Sequence, residues 1–144
     1  MAEFDELCVI LHCDAKQSEQ IIYTMNKELT IEDIQEIVAK DESRYLELKQ
    51  TTGELYKAMT SACAFLNTDG GWVMFGVTPK LKLVGQNVTD PTRQEIANAL
   101  RKFEPVIDVP VQYIEIPEKE GFYVIAMYFN PPAPTQAPYT FDAR

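Results

Sequence analysis

The stretch ACAFLNTDGGWVMFGV, residues 62–77, joins a helix to an apolar strand and decides the fold of this chain. Its first residues complete a helix predicted over 53–66, where apolar positions recur at helical spacing. Asn67 is placed to cap the helix end, and Gly70 and Gly71 permit a sharp turn. The apolar run that follows is far shorter than the roughly 20 residues of a membrane span, so it is predicted to be a central strand. The apolar positions of the helix are Leu55, Met59, Ala62, Cys63 and Leu66.

Downstream, the pattern continues with short strands and one more helix. Residues 78–82, TPKLK, are predicted to form a hairpin turn into a strand at 83–85. A third helix is predicted from Asp90 as its cap, with Pro91 in the first turn and an apolar face that extends to Phe103. The remaining segments are predicted as two closing strands (109–117 and 122–129), a proline-rich linker (130–138) and one more edge strand (139–144).

Upstream, YLELK at 45–49 alternates in the manner of a half-buried strand, with Glu47 and Lys49 on the face opposite the leucines. A short amphipathic helix precedes it, with Thr30 and Asp33 as a capping pair. Its apolar stripe consists of Ile31, Ile34, Ile37 and Val38. The resulting order α-β-α-β-β-α-β-β predicts an α/β (α+β) two-layer sandwich, a mixed β-sheet with about three helices.

Composition limits the possible function classes. The chain has 144 residues, which is one domain, and it has no secretory leader pattern, so we expect a cytoplasmic protein without a membrane segment. Its three cysteines show no CxxC spacing and are expected to be reduced. A formal net charge of −9 speaks against nucleic-acid binding, which depends on phosphate neutralisation. However, residues 1–40 carry nine acids and three bases, whereas 41–144 carry thirteen acids and ten bases, so a local basic surface stays possible.

The segment ESRYLELK, residues 42–49, contains the candidate chemistry. Two carboxylates beside an ammonium can hold a divalent metal and neutralise phosphate, or they can be ordinary surface charges. Glu42 and Glu47 are five residues apart, so they share a site only across a junction between two elements. Glu47 and Lys49 share one face of a strand, about 7 Å apart along it.

Taken together, ESRYLELK, the 62–77 stretch, LVGQ and PYTFDAR resemble the AlbA_2 domain of Schlafen type. The resemblance covers residues 41–144 and implies an AlbA_2-like domain at 25–144, preceded by an N-terminal extension at 1–24. Relatives continue past these residues and often carry a divergent AAA_4 ATP-binding part, so the chain is expected to be a fragment of a longer protein; it contains no phosphate-binding GxxxxGK[ST] loop. The structural motif residues are Asn67, Thr68, Gly70, Gly71, Gly76 and Gly85.

The resemblance implies a nucleic-acid-binding domain of a bacterial transcriptional regulator, for DNA rather than RNA and with no cofactor required. Its cations would contact phosphates without strong base readout. By analogy with Alba proteins, a homodimer is possible. The predicted contacts are Arg44, Lys49, Lys57, Lys80, Lys82 and Arg93.

Two alternatives stay open. In the Schlafen branch the domain can be a metal-dependent endoribonuclease, for which Glu42 and Glu47 would hold Mg²⁺ or Mn²⁺ and Lys49 would stabilise phosphate charge. The third carboxylate of that pattern is replaced by Pro79 here, so we expect binding rather than catalysis. The acidic first 40 residues favour the other alternative, a protein-interaction domain.

Overall fold

The computed structural model describes residues 28–40 and 45–142. The predicted extension at 1–24, the predicted start of the domain at residue 25, and the site residues Glu42 and Arg44 lie outside these ranges. The helices are α1 (Ile31–Lys40), α2 (Leu55–Leu66, preceded by a 3₁₀ turn at Thr52–Glu54) and α3 (Asp90–Leu100); the strands are β1 (Leu46–Lys49), β2 (Gly71–Phe75), β3 (Gln86–Asn87), β4 (Phe103–Glu104), β5 (Val111–Ile116), β6 (Lys119–Phe129) and β7 (Thr140–Phe141).

The main sheet is built around the long strand β6. β1 runs parallel to β2, and β2 runs antiparallel to β6. Ile125 of β6 pairs with Phe75 on one edge and with Tyr113 of β5 on the other. Tyr123 likewise pairs with Gln86 of β3 and with β5, so β2 and β3 follow one another along the same edge of β6. The sheet is mixed, and the predicted α+β class is confirmed.

Helices cover both faces of this sheet. The apolar side chains of α2 and α3 pack against Val73, Phe75 and Met127 on one face. On the other face, Ile34 and Val38 of α1 pack in a second cluster with the alternate residues of β2 and β6. The structure therefore adds to the predicted arrangement that α1 lies on the side of the sheet opposite α2 and α3.

The start of α1 follows its predicted capping pattern. The backbone N–H of Thr30 donates to Asp33 Oδ2 (2.9 Å), and the backbone N–H of Asp33 donates to Thr30 Oγ1 (3.2 Å). This reciprocal pair satisfies two N–H groups that a helix start leaves without intrahelical partners. The predicted apolar stripe is confirmed, because Ile34 and Val38 are buried.

The predicted cap and end of α3 were wrong. Thr89 is the N-cap, in a capping box with Thr92, and Asp90 is the first helical residue. The helix ends at Leu100, and Phe103 lies in β4, which pairs with β7. Phe103 is buried, as its apolar character requires. It is placed there by β4, a two-residue strand that forms by pairing with β7 near the end of the described chain.

The predicted hairpin is confirmed, although its second strand begins later than predicted. Val77 and Leu83 form an antiparallel bridge, and the following strand is β3 at 86–87 rather than 83–85. Across the described ranges, no helix combines the length and apolarity needed to cross a lipid bilayer.

Candidate functional site

Glu47 and Lys49 lie side by side on β1, as their spacing predicts. Lys49 Nζ is 3.1 Å from Glu47 Oε1, and the side chains retain 18% and 28% of their exposure respectively. Both residues belong to the strand that pairs in parallel with β2, where Lys49 is opposite Phe75. The ammonium is therefore held at the carboxyl end of two adjacent parallel strands.

A second carboxylate, which the sequence pattern did not single out, extends this pair. Glu54 Oε1 lies 3.9 Å from Lys49 Nζ and 3.7 Å from Lys57 Nζ. Glu47, Lys49, Glu54 and Lys57 thus form a row of alternating charges, which we call the charge row. The (i, i+3) spacing of Glu54 and Lys57 was a visible signal, whereas the contact with Lys49 depends on how the chain turns after β1.

That turn is fixed by side-chain hydrogen bonds. Thr51 Oγ1 accepts from the backbone N–H of Gly53 (3.2 Å), which starts the 3₁₀ turn before α2. The backbone N–H of Thr52 donates to Gln86 Oε1 (2.7 Å), and Gln86 Nε2 donates to Thr52 Oγ1 (3.1 Å). Gln86 therefore ties the loop after β1 to β3, which begins directly after the hairpin that follows β2.

Two of the predicted motif glycines close that hairpin. Gly76 (φ +94°) and Gly85 (φ +67°) have backbone conformations that disfavour other residues. The carbonyl of Gly76 accepts from the N–H groups of Val84 and Gly85, and a Cβ on Gly76 would lie 2.8 Å from Gly85 Cα. Gly76 can approach Gly85 this closely because it has no side chain, whereas a Cβ on Gly85 would lie 2.7 Å from Ile116 Cδ1.

The hairpin presents Lys80 and Lys82 to solvent. Its tip is a turn in which the N–H of Leu81 donates to the carbonyl of Thr78 (2.9 Å), and both lysines are exposed. Neither lysine forms an ion pair with any residue in 28–40 or 45–142. The hairpin begins at the end of β2, and Lys49 lies beside that point, at the end of β1. The structure therefore places Lys49 and the two hairpin lysines at one end of the sheet.

Arg93 lies elsewhere. Its guanidinium carbon is 4.0 Å from the centre of the Tyr113 ring, over the strand β5. Lys57 lines a groove that runs along the other flank of α3, with Glu95 and Asn98. The predicted contact set is therefore divided: the structure groups Lys49 with Lys57, places Lys80 and Lys82 at the same sheet end, and separates Arg93 from them.

The remaining motif residues support the fold around the helix-to-strand turn. Asn67 holds the backbone of Tyr139 from both sides: its Oδ1 accepts from the Tyr139 N–H (2.8 Å), and its Nδ2 donates to the Tyr139 carbonyl (3.0 Å). Gly70 (φ +77°) and Gly71 have no room for a side chain, since a Cβ on Gly71 would lie 2.8 Å from the Phe65 ring. Thr68 Oγ1 donates to the carbonyl of Ala64 (2.7 Å).

Cys63, on the same side of α2 as Asn67, donates its thiol to the Tyr139 carbonyl (Sγ to O, 3.4 Å). Burial raises the pKa of this thiol above its usual range, so it stays protonated near neutral pH. The thiol and the Asn67 amide therefore share one acceptor and together hold the chain that leads into β7.

Of the two carboxylates predicted to hold a metal ion, the structure describes Glu47 but not Glu42. Glu47 has an ammonium 3.1 Å away, which already balances its charge. No group of three or more histidine, cysteine or acidic side chains in 28–40 and 45–142 is arranged to hold a metal ion. Pro79, where the resemblance would require a third carboxylate, is exposed in the hairpin.

Comparison with known proteins agrees with these features. The family model described as "Schlafen, AlbA_2" matches residues 42–143, which is most of the chain. The match includes the charge row, the turn at 67–71 and the hairpin between Gly76 and Gly85. A search of curated proteins found no match. Since one family model accounts for most of its length, the chain belongs to the Schlafen AlbA_2 family.

Proposed function

We propose that this domain binds nucleic acid, DNA in preference to RNA, through phosphate contacts, as part of a cytoplasmic bacterial transcriptional regulator. Membership of the Schlafen AlbA_2 family fits a nucleic-acid-related domain. The observation that carries the proposal is the junction of Thr52 with Gln86, which fixes the loops after β1 and β2 beside each other. Lys49 and Lys57, which lie on either side of the first loop, and Lys80 and Lys82 of the hairpin then face the ligand at one end of the sheet.

The exposed lysines contribute most of the attraction. Lys80 and Lys82 have no carboxylate partner among the described residues, and the Lys57 side chain is 78% exposed. Lys49 is flanked by Glu47 and Glu54, so it attracts a phosphate less strongly than the exposed lysines do. Its ion pairs hold the carboxylates of the charge row in place. A few phosphate contacts on a protein of net charge −9 are expected to give micromolar affinity at low salt.

Fluorescence anisotropy tests the proposal. Duplex DNA, single-stranded DNA and RNA of one sequence are titrated with the 144-residue chain at about 50 to 200 mM salt, and the slope of log K against log [salt] is expected to be about −0.9 for each phosphate contacted on duplex DNA. The variant Lys80→Gln/Lys82→Gln is expected to bind more weakly and to lose about two units of that slope.

The matched control is Lys40→Gln. Lys40 is exposed in the last turn of α1, the helix that packs on the face of the sheet opposite α2 and Lys57. The Lys40→Gln variant is expected to bind the oligonucleotides as the unaltered protein does. No binding by the unaltered protein at tens of micromolar and about 50 mM salt, or equal losses in both variants, would contradict the proposal.

A further inference from the structure

A groove lies between α3 and the loop at 105–110 that leads into β5, away from the charge row. Its floor is aliphatic and includes Ile96, Leu100, Ile107 and Val109. All but Ile96 of these side chains are only partly buried, so they remain accessible from the solvent. The groove thus offers apolar surface that the described domain does not cover.

Val106 stands at the lip of this groove. Its side chain is 90% exposed, compared with 41% to 49% for the other large apolar residues that are exposed in the described chain. A single exposed aliphatic residue is ordinary, but here it adjoins an apolar groove in the same patch. The patch therefore contains both an exposed aliphatic side chain, Val106, and an aliphatic groove that could accept such a side chain.

The rim of the groove carries opposite charges. Arg101, at the end of α3, and Asp108, in the loop, both line it and are both exposed. Neither forms an ion pair with another residue of the described ranges. Arg93 adds a second guanidinium, stacked over Tyr113 at 4.0 Å.

We propose that this patch, the Val106 groove, is the contact between two copies of this chain. A two-fold contact uses the same surface on both partners, so the surface must contain both members of every pair. Val106 of one copy fits the aliphatic groove of the other, and Asp108 of one copy faces Arg101 of the other. An acidic partner of another kind would use the arginines and the groove but would leave Val106 and Asp108 without a role.

Light scattering after size-exclusion chromatography tests the proposal, at about 150 mM salt so that repulsion between two anionic copies is screened. The unaltered chain at roughly 100 µM is expected to elute with about twice its mass of 16.4 kDa. Val106→Asp, a change at an exposed position, is expected to reduce the mass to that of one chain. Leu81→Asp, at an exposed aliphatic residue on the hairpin, is the matched control and is expected to leave the dimer intact.

Charge exchange identifies the contact. Arg101→Asp and Asp108→Arg are each expected to raise the dissociation constant about tenfold or more, because each places like charges opposite each other. An equimolar mixture of these two variants pairs opposite charges at both contacts of a mixed dimer, and that mixed dimer is expected to form. A monomeric unaltered chain, a dimer that survives Val106→Asp, or a mixture that associates no better than its components would overturn the proposal, with circular dichroism to show that each variant is folded.

Discussion

At the scale of single residues, the charge row decides how much positive charge the site can offer. Lys49 has carboxylates at 3.1 and 3.9 Å, and Lys57 shares the second of them at 3.7 Å. Partly exposed pairs of this kind contribute about 0 to 1 kcal/mol to stability, so the row is not there mainly to hold the fold. Its stronger effect is on a bound phosphate, which must compete with Glu47 and Glu54 for the two ammonium groups.

Replacement of Glu47 by glutamine is therefore expected to tighten oligonucleotide binding. The change releases Lys49 from its nearer carboxylate, and an electrostatic gain of about 0.5 to 1 kcal/mol corresponds to about two- to fivefold in affinity. Anisotropy titrations at about 50 mM salt measure it. Glu36→Gln makes the same change of charge at an exposed position of α1 and controls for net charge.

The same variant separates binding from catalysis. Should the unaltered chain cleave RNA with Mn²⁺ and Glu47→Gln abolish that cleavage, the carboxylate would act as a metal ligand and the alternative of a nuclease would replace the present proposal. Weaker oligonucleotide binding by Glu47→Gln than by Glu36→Gln would also contradict the assigned role.

At the scale of elements, the hairpin between β2 and β3 depends on the contact of two glycines. A Cβ on Gly76 would meet the backbone of Gly85 at 2.8 Å and the carbonyl of Tyr123 at 3.1 Å, and neither group can move without disturbing the sheet. The position of Lys80 and Lys82 over the end of β2 follows from this contact. The hairpin is thus joined to the sheet at its base by close backbone contacts.

Gly76→Ala is expected to destabilise the domain by about 2 to 4 kcal/mol, from backbone strain of about 1 to 3 kcal/mol and a steric clash in addition. Gly121→Ala is the matched control: Gly121 also has a positive φ (+84°), but a Cβ there meets nothing within 4 Å. Gly121→Ala is expected to lose only the stability that corresponds to the backbone strain of a positive φ. Urea unfolding measures both, and equal losses would show that the contact with Gly85 contributes nothing.

The local sequence pattern predicted most of the helices and strands, because the boundaries of these elements depend on residues that are close in sequence. The capping pair of α1, the alternation of β1 and the break after α2 are all of this kind. β4 shows where such reasoning ends: it is two residues long, and it exists because β7, which lies within the edge strand predicted at 139–144, is beside it. Phe103 is apolar at helical spacing from Leu100, so sequence alone assigned it to the helix.

The candidate site divides in the same way. The adjacency of Glu47 and Lys49 follows from the two-residue period of a strand and was predicted. The contact of Glu54 with Lys49 and the junction of Thr52 with Gln86, 34 residues apart, depend on tertiary folding and have no local signal. The separation of Arg93 from the lysines likewise follows from which flank of α3 it occupies.

At the scale of the whole molecule, burial of weak acids makes stability depend on alkaline pH. Desolvation raises the pKa of Tyr128, of the Cys63 thiol and of Tyr113, where the nearby Arg93 partly offsets it. A raised pKa means that the folded state holds its proton at a pH where the unfolded chain has released it, so the unfolded state binds fewer protons and stability falls as pH rises. Below the unfolded values, about 8.5 for cysteine and about 10 for tyrosine, this stabilisation is complete.

We therefore expect the free energy of unfolding to decrease progressively from about pH 9 upward, first through Cys63 and then through the two tyrosines. Tyr128 lies in the core against Trp72, with ring centres 5.1 Å apart, and Tyr128→Phe keeps that packing while it removes the hydroxyl. The variant is expected to lose less stability than the unaltered chain between about pH 9 and pH 11, measured by urea unfolding at each pH. Tyr45→Phe, at a position with 44% exposure, is the control for loss of a hydroxyl. Parallel curves for Tyr128→Phe and the unaltered chain would show that Tyr128 takes no part in the alkaline transition.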